Sequence, residues 1–427
     1  MHEQIESSLL HRGSQTGQTD STIDLYAGNP LIEVCGPILS PREIVSRLIC
    51  LPPVPHGPFE LPPHVLVHEL GNLRRLHLPS EPGIQVAQTL DFLIRQGYVH
   101  RHPADVATRR LLSGLPVLGG THAAVQLAAA VVGLSGVGKS EALERALMLK
   151  PQVAHHDKFP GLVGPVRQLV WLKVDVPESG RLKDLAEALF RATDLALGTH
   201  YLEFVLSGRQ RVGSHAAAEW VAKMRCHFLG VLVIDEVQNL FRLSSKELRQ
   251  EAARRGLARP QLRVVEDMAL KFILNLTNTS KIPVVFAGTP DGLAAMESRM
   301  STASRLSTGG LITFNHAQTP EDSFYSKIFL PRLADYQWLP QKIAATAALR
   351  QQLYRLSGGL LRNTVGLWHH AQHRAILRSG SQIEPEDLEH AAQGPMKMTT
   401  YAIEALQSQD PRRMGVYEDL LPGRVGE

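Results

Sequence analysis

Residues 133–140, Gly133-Leu134-Ser135-Gly136-Val137-Gly138-Lys139-Ser140, match the pattern G-x-x-x-x-G-K-[ST] at every fixed position. The apolar run 127–132 precedes this stretch and predicts a short buried strand, and residues 141–150 predict a helix after it. Strand, glycine-rich loop and helix in this order form the context that a phosphate-binding loop needs. A flexible glycine turn before an ordinary helix is the simpler interpretation, and the flanking elements favour the phosphate-binding one.

The phosphate-binding hypothesis gives each part of the loop a chemical role. Backbone N–H groups in such a loop surround a phosphate, and the N-terminus of the following helix adds partial positive charge. Lys139 is expected to reach the β- and γ-phosphates of ATP, and the Ser140 hydroxyl to bind Mg²⁺. The predicted nucleotide-binding set is Gly133, Ser135, Gly136, Val137, Gly138, Lys139, Ser140 and Glu141.

Composition sets broad bounds on the class of protein. A chain of 427 residues predicts about two or three domains. The net charge of +4 permits nucleic acid as a partner without requiring it. Three cysteines without a C-x-x-C pair argue against a disulfide framework or a zinc finger. Because no signal pattern and no long apolar run is present, we expect a cytoplasmic protein with no membrane partner.

A second chemical landmark lies at residues 230–236, where four apolar residues lead into Asp235 and Glu236. This pattern predicts a buried parallel strand with two carboxylates at its carboxyl end, the edge where open α/β sheets bind ligands. Asp235 is expected to hold Mg²⁺ and Glu236 to polarise a water that attacks the γ-phosphate. Alone, the pattern also fits a strand that runs into a surface turn; together with the loop it indicates one Mg-nucleotide site.

Another short core strand is predicted within residues 281–290, and it ends at Thr289. Thr289 is positioned to contact the γ-phosphate or the attacking water, although a plain Gly-Thr-Pro turn remains the alternative. The following stretch, 296–305, carries Arg299 and Arg305, and residues 311–314 predict a last short strand.

The fold class predicted from these patterns is α/β, a parallel sheet flanked by helices, with helical regions before and after it. We expect Gly97 to stop a helix over 84–96, and Arg362 to lie in the first turn of a helix over 360–378. The predicted organisation is a disordered N-terminus at 1–30, a helical region at 31–115, the α/β core at 116–335, a helical lid at 336–400 and a mobile tail at 401–427.

Residues 168–176 predict one further strand, followed by a helix from about 180 to 197. Arg181 and Lys183 lie in its first turn, where the helix dipole disfavours cations. Solvent screening of a small cost is the simpler explanation. Contact with DNA phosphates is the sharper one, and it makes these residues the DNA-binding candidates. A helical stretch at 202–224 receives no role.

In this order, a phosphate loop, an Asp-Glu strand, a polar-ended strand and a helical lid with an early arginine resemble the AAA+ ATPases. Several stretches are similar to the TnsC/TniB branch, the regulators of transposons with multi-protein transposases. These stretches are GLSGVGKSEALERAL at 133–147, QLVWLKVDVPESGRLKDL at 168–185, GVLVIDEVQNL at 230–240, PVVFAGTP at 283–290, SGGLLRNTVGL at 357–367, GPILSPREIVSRLICLPP at 36–53 and LRRLHLPS at 73–80.

The resemblance implies a bacterial ATPase that uses ATP and Mg²⁺ and assembles with itself into rings or filaments on double-stranded DNA, through sequence-independent backbone contacts. It would link a TniQ-type target adaptor to a TnsA/TnsB-type transposase, with hydrolysis controlling assembly or release. Two other classes stay open: an AAA+ ATPase of replication initiation or DNA repair, and a weakly hydrolysing P-loop signalling switch.

Carried over residue by residue, the resemblance covers the catalytic set. Lys139, Ser140, Asp235 and Glu236 match outright. Thr289 stands where many AAA+ proteins have Asn, and TnsC-like proteins often carry Thr there. Arg362 corresponds to the lid arginine, although GGLLR is a loose version of that motif. Arg305 fits the spacing of an arginine that acts on the neighbouring subunit better than Arg299 does.

Overall fold

A five-stranded parallel sheet forms the centre of the protein, for which a computed structural model describes residues 23–57, 59–115, 127–207, 213–243, 262–264, 267–292, 308–414 and 417. The strands are β1 (Ala128–Gly133), β2 (Val153–His156), β3 (Val166–Leu169), β4 (Trp171–Asp175), β5 (Val231–Asp235), β6 (Phe241–Leu243), β7 (Leu262–Val264), β8 (Val284–Gly288) and β9 (Leu311–Phe314). The strand order in the central sheet is β4-β5-β8-β1-β9. This arrangement confirms the predicted α/β class.

Most residues of the sheet strands are apolar because both faces of the sheet are covered. The charged exceptions are Lys173 and Asp175 in β4 and Asp235 at the end of β5. Along β1, Ala129 and Val131 belong to one hydrophobic core, while Ala128, Ala130 and Val132 belong to the other. All strands of this sheet pair in parallel, so their carboxyl ends meet at one edge. The phosphate loop after β1 and the acids after β5 therefore lie at the same edge.

Helices cover the two faces unequally. The core on one face includes the N-terminal helices, α6 and the lid, and the core on the other includes α7, α9 and α10. The helices are α1 (Pro30–Glu33), α2 (Pro41–Leu48), α3 (Pro63–Glu69), α4 (Glu81–Val99), α5 (Val106–Leu112), α6 (Lys139–Leu147), α7 (Leu182–Leu197), α8 (Tyr201–Ser207), α9 (Gly213–Cys226), α10 (Asp267–Thr279), α11 (Leu330–Ala334), α12 (Ala347–Ser357), α13 (Leu361–Leu377), α14 (Pro385–Gln393), α15 (Lys397–Ser408) and α16 (Pro411–Met414).

The strand predicted over 168–176 proves to be two strands with different partners. β3 forms an antiparallel hairpin with β2, and β4 enters the central sheet beside β5. Val170 lies between them, and its N–H donates to the Gln152 carbonyl at 2.8 Å. The apolar pattern is continuous across both strands, so the sequence could not show where one pairing ends and the other begins.

The N-terminal region is joined to the sheet by buried polar contacts from α4 and the residues after it. The Tyr98 hydroxyl donates to the Phe228 carbonyl at 3.0 Å, and Arg101 Nη1 donates to the Leu229 carbonyl at 2.6 Å. The expectation that Gly97 ends this helix is wrong, since α4 continues to Val99. A Cβ atom at Gly97 would lie 2.5 Å from the ring of Pro283, so glycine permits close packing here.

Both ends of the described chain carry more structure than the sequence pattern indicated. Asn29 is buried, and its side chain caps α1, so the order begins before residue 31. At the other end, α15 crosses residue 400 and ends at Ser408. No helix within the described ranges is long and apolar enough to cross a membrane.

Candidate nucleotide-binding site

The loop between β1 and α6 has the backbone of a phosphate cradle. Gly136 and Gly138 adopt φ angles of 86° and 100°, which favour glycine. Lys139 begins α6 and is only 8% exposed. Its Nζ donates to the carbonyls of Gly133 at 2.7 Å and Leu134 at 3.0 Å. The ammonium group is therefore held beside the loop at the start of the helix.

Close packing against the neighbouring strand explains the first glycine of the motif. A Cβ atom at Gly133 would lie 2.5 Å from the carbonyl oxygen of Phe314 at the end of β9. Ser140 and Glu141 follow in the first turn of α6, where Glu141 forms an ion pair with Arg145 at 2.5 Å.

One cavity of about 610 Å³ joins the predicted nucleotide-binding residues from Ser135 to Glu141 with Glu236 and Arg362. Its volume lies within the range of ordinary small-molecule sites, about 300–1,000 Å³. Gly133 and Asp235 are not among its lining residues, although each lies beside residues that are. The structure thus brings together the loop, one of the two acids and the lid arginine.

The lid contacts the phosphate loop directly through Arg362. The backbone N–H of Arg362 donates to the Gly136 carbonyl at 3.1 Å, and a Cβ at Gly136 would lie 3.4 Å from the Arg362 side chain. Because Arg362 is in the first turn of α13, movement of the lid would move this side chain relative to the loop.

Sequence reasoning missed a large part of the cavity wall. The N-terminal region contributes Arg74, His77 and Ser80, and the lid contributes His369 and His370. Burial, then the nearby charge of Arg145, lowers the pKa of His77 to about 4. This imidazole is therefore neutral at pH 7. The run of histidines in α13 was a visible signal, whereas nothing near His77 pointed to a nucleotide site.

A lysine on the neighbouring strand neutralises Asp235. Asp235 is 2% exposed, and Lys173 Nζ on β4 lies 3.3 Å from its Oδ2. The same ammonium group lies 3.1 Å from Asp175 and 3.2 Å from Glu144. Burial alone would lower the pKa of Lys173, but the carboxylates of Asp235 and Asp175 raise it above its ordinary value. A lone lysine in an apolar strand was the available sequence signal.

Glu236 leaves the strand in a left-handed conformation, with φ of 57°. Its side chain accepts a hydrogen bond from the Gln238 amide, and the Gln238 oxygen accepts from the Thr289 N–H at 3.3 Å. Burial, then the neighbouring carboxylate of Asp235, raises the pKa of Glu236 above its usual value. Thr289 is 3% exposed, and its hydroxyl has no hydrogen-bond partner among the described residues.

The donor set fits a hard cation. Asp235 supplies a buried carboxylate that already lies against a positive group, and Ser140 supplies a hydroxyl at the start of α6. Oxygen ligands of this kind suit Mg²⁺ that also binds phosphates. Ser140 and Asp235 are the residues that would hold it.

The predicted DNA-binding residues lie apart from the cavity, on the surface at the start of α7. Arg181 is the exposed N-cap residue, and Lys183 is 57% exposed and lies 3.8 Å from Glu187. Because α7 follows β4, both residues lie near the edge of the sheet that the carboxyl ends of its strands form. Arg299 and Arg305 lie outside the described residues.

Comparison with known families agrees with this geometry. Residues 124–296 match the family described as the AAA domain. The chain contains an AAA+ domain. Four of the five strands of the parallel sheet lie within the matched residues and β9 follows them, and helical regions precede and follow the sheet.

Two further comparisons carry no argument for the AAA+ assignment. A solved structure of the ORC2 protein from Aeropyrum pernix, in ADPNP and ADP complexes, matches at 13% identity with a TM-score of 0.38. The match covers 68% of this chain and 66% of that chain. Curated proteins give no match.

Proposed function

We propose that this AAA+ protein is an ATP-dependent regulator of DNA transposition that oligomerises on duplex target DNA and links a TniQ-type adaptor to a TnsA/TnsB-type transposase. The observation that carries the nucleotide part is the cavity shared by residues 135–141, Glu236 and Arg362. The transposition part is supported by the stretches similar to the TnsC/TniB branch, above all 168–185 and 230–240.

The proposed hydrolysis divides the work among residues that the fold holds at one sheet edge. Lys139 exchanges its two carbonyl partners for the β- and γ-phosphates. Asp235 and Ser140 would hold Mg²⁺, which supplies charge neutralisation to the phosphates when bound. Glu236 takes the proton of the attacking water, and Thr289 presents its hydroxyl to the γ-phosphate or to that water. Arg362 brings the lid to the bound triphosphate.

The proposed DNA association uses basic residues on the surface outside this site. Arg181 and Lys183 would contact DNA phosphates, which gives affinity without base recognition. Arg305, or Arg299 in its place, would act on the nucleotide of the adjacent subunit in the assembly. The nucleotide would then lie between subunits, so assembly and hydrolysis are coupled.

Electron microscopy of the protein with mixed-sequence duplex DNA tests this proposal. With ATP and Mg²⁺ we expect rings or filaments, and with ADP none. Lys139→Ala should lower ATP affinity by about 100-fold or more, because a buried charge-assisted contact to the phosphates is lost. It should also abolish assembly. Lys397→Ala removes an exposed lysine at the start of α15 and serves as the control.

The outcomes separate the proposal from its alternatives. ATP binding by Lys139→Ala at unchanged affinity would contradict the phosphate-loop assignment. Nucleotide binding without turnover, with or without DNA, would favour a signalling switch. ATP-dependent assembly on DNA without stimulation of a TnsB-type transposase in a reconstituted transposition assay would favour a replication or repair ATPase.

A further inference from the structure

A second cavity, of about 370 Å³, lies at the end of α6 that is farther from the phosphate loop. Its walls are mainly apolar and come from α4, from the end of α6 and from the first residues that the structure describes. Ile23 and Phe92 belong to its wall, and each is about half exposed. The cavity therefore has an apolar rim that a further apolar group can cover.

Two buried cations give this cavity an excess of positive charge. Arg95 and Lys150 both line it, and both side chains are more than nine-tenths buried. They share one carboxylate, since Arg95 Nε lies 3.0 Å and Lys150 Nζ 2.6 Å from Asp91. One positive charge thus has no counter-charge among the residues that line the cavity, and burying such a charge is costly. A ligand that is apolar and carries negative charge fits both features.

The chain contains a segment with these properties shortly before Ile23. Residues 1–10, MHEQIESSLL, carry two glutamates and no lysine or arginine. Ile5 and Leu9 are four positions apart, the spacing of neighbours on one face of a helix. Residues 11–22, HRGSQTGQTDST, contain no large apolar side chain, a composition typical of a linker. The sequence thus supplies an acidic, apolar segment and the means to attach it beside the cavity.

We propose that residues 1–10 of the same chain occupy this cavity, with Ile5 and Leu9 against its apolar wall. The two glutamates of the segment then face the excess positive charge. A linker of the length of residues 11–22 spans about 20 Å on average, and it ends at Ile23 on the cavity wall. The segment therefore reaches the cavity at an effective concentration on the order of millimolar. Because this docking needs neither nucleotide nor DNA, it does not depend on the proposed function.

The docked segment lies at the joint between the N-terminal region and the α/β core. α4 and α6 both form walls of the cavity, and the ion pair between Lys150 and Asp91 connects them. Lys150 Nζ also donates to the Cys35 carbonyl at 2.7 Å, and Trp171 Nε1 of β4 donates to the Lys150 carbonyl at 3.2 Å. Filling the cavity buries apolar surface on both helices, so loss of the segment should lower the melting temperature of the protein.

Fluorescence anisotropy of a labelled peptide tests the proposal. The peptide spans residues 1–12, and the two proteins are the full chain and a chain that begins at residue 13. We expect saturable binding to the shortened chain. Binding to the full chain should be at least about tenfold weaker, because its own segment competes at millimolar effective concentration. Saturating peptide should also restore the melting temperature of the shortened chain.

Variants of the peptide separate its apolar contacts from its charge. Ile5→Asp together with Leu9→Asp should abolish binding to the shortened chain, because both side chains leave the apolar wall. Glu3→Gln together with Glu6→Gln should weaken binding by a smaller factor and remove most of its salt dependence. A peptide whose affinity is unchanged by the aspartate substitutions binds without the proposed apolar contact, and the inference is then wrong.

A substitution at the rim locates the peptide on the protein. In the shortened chain, Phe92→Ser should weaken peptide binding by about tenfold, since a buried aromatic side chain at an interface contributes 1 kcal/mol or more. Leu195→Ser is the matched control, because Leu195 is an exposed apolar residue on a helix, α7, that contributes nothing to the cavity wall. We expect it to leave the affinity unchanged. Equal effects of the two substitutions would place the peptide elsewhere on the protein.

Three further results would overturn the inference. The first is equal affinity of the peptide for the full and the shortened chain, and the second is no binding to the shortened chain. The third is competition in the full chain that weakens on dilution together with a change from dimer to monomer in light scattering. In that case the segment of a second copy occupies the cavity, since docking within one chain does not depend on protein concentration.

Discussion

The phosphate loop and the end of β5 lie at the same edge of one sheet, yet they differ in how they meet a ligand. The loop is held by backbone geometry, and its lysine donates to two carbonyl oxygens of the loop itself. At the end of β5 both carboxylates already have side-chain partners, Lys173 for Asp235 and Gln238 for Glu236. One half of the site is ready to bind phosphate, whereas the other must exchange partners before it can act.

The largest expected effect comes from removing the proton acceptor in the second half. Glu236→Gln keeps size and polarity, so nucleotide should still bind through the loop. Hydrolysis should fall by roughly 10²- to 10⁴-fold, the usual worth of a positioned general base. If hydrolysis drives release, the variant should form DNA complexes that persist after dilution into ATP-free buffer. Equal lifetimes of wild-type and variant complexes, with hydrolysis lost, would show that turnover does not control release.

The pH dependence of hydrolysis sharpens the same point. Because burial and Asp235 raise the pKa of Glu236, the carboxylate is protonated at a higher pH than an ordinary glutamate. A general base works only when it is deprotonated. The rate of hydrolysis should therefore be maximal above that raised pKa and should fall as the pH drops through it. The measurement is kcat/KM as a function of pH, from below the ordinary pKa of a glutamate up to neutral pH. An acid limb at the ordinary value for glutamate would contradict the shift.

A smaller effect is expected from the lysine that neutralises Asp235. Lys173→Met leaves three carboxylates near one another without their cation, and should lower the free energy of unfolding by about 2 kcal/mol, because only Asp235 among the three is buried. Mg²⁺ should restore more stability to this variant than to the wild type, since it replaces the missing charge. Thermal unfolding with and without Mg²⁺ measures both. Lys183→Met is the control, because this lysine is 57% exposed and lies 3.8 Å from Glu187. It should change the free energy of unfolding by less than about 0.5 kcal/mol.

The smallest expected effect concerns the surface outside the nucleotide site. Replacing Arg181 and Lys183 by Ala should weaken DNA binding about equally on all sequences and reduce the salt dependence by roughly one to two counterions. Arg191→Ala removes an exposed cation about two turns along the same helix and is the control. A double variant with an unchanged salt slope would return Arg181 and Lys183 to ordinary solvated surface.

Local chemistry explains why much of the core could be predicted. The strand within 127–132, the glycine-rich loop and the strand ending at Asp235 each carry their signal in consecutive residues, and the structure has all three. The first turn of α13 likewise carries Arg362 as expected. Such patterns depend on side-chain period and on the few residues that tolerate positive φ, so one stretch of sequence is enough.

Consecutive residues were therefore enough to predict the loop, the acids and the α/β class, whereas the partners of those residues depend on how distant parts of the chain pack together. Lys173 meets Asp235, which is 62 positions further along the chain, because β4 and β5 pair in parallel. His77 reaches the cavity because buried contacts from Tyr98 and Arg101 hold the N-terminal region on the sheet. Strand pairing and helix packing join residues that are distant along the chain, and a local pattern contains no information on which of them will meet.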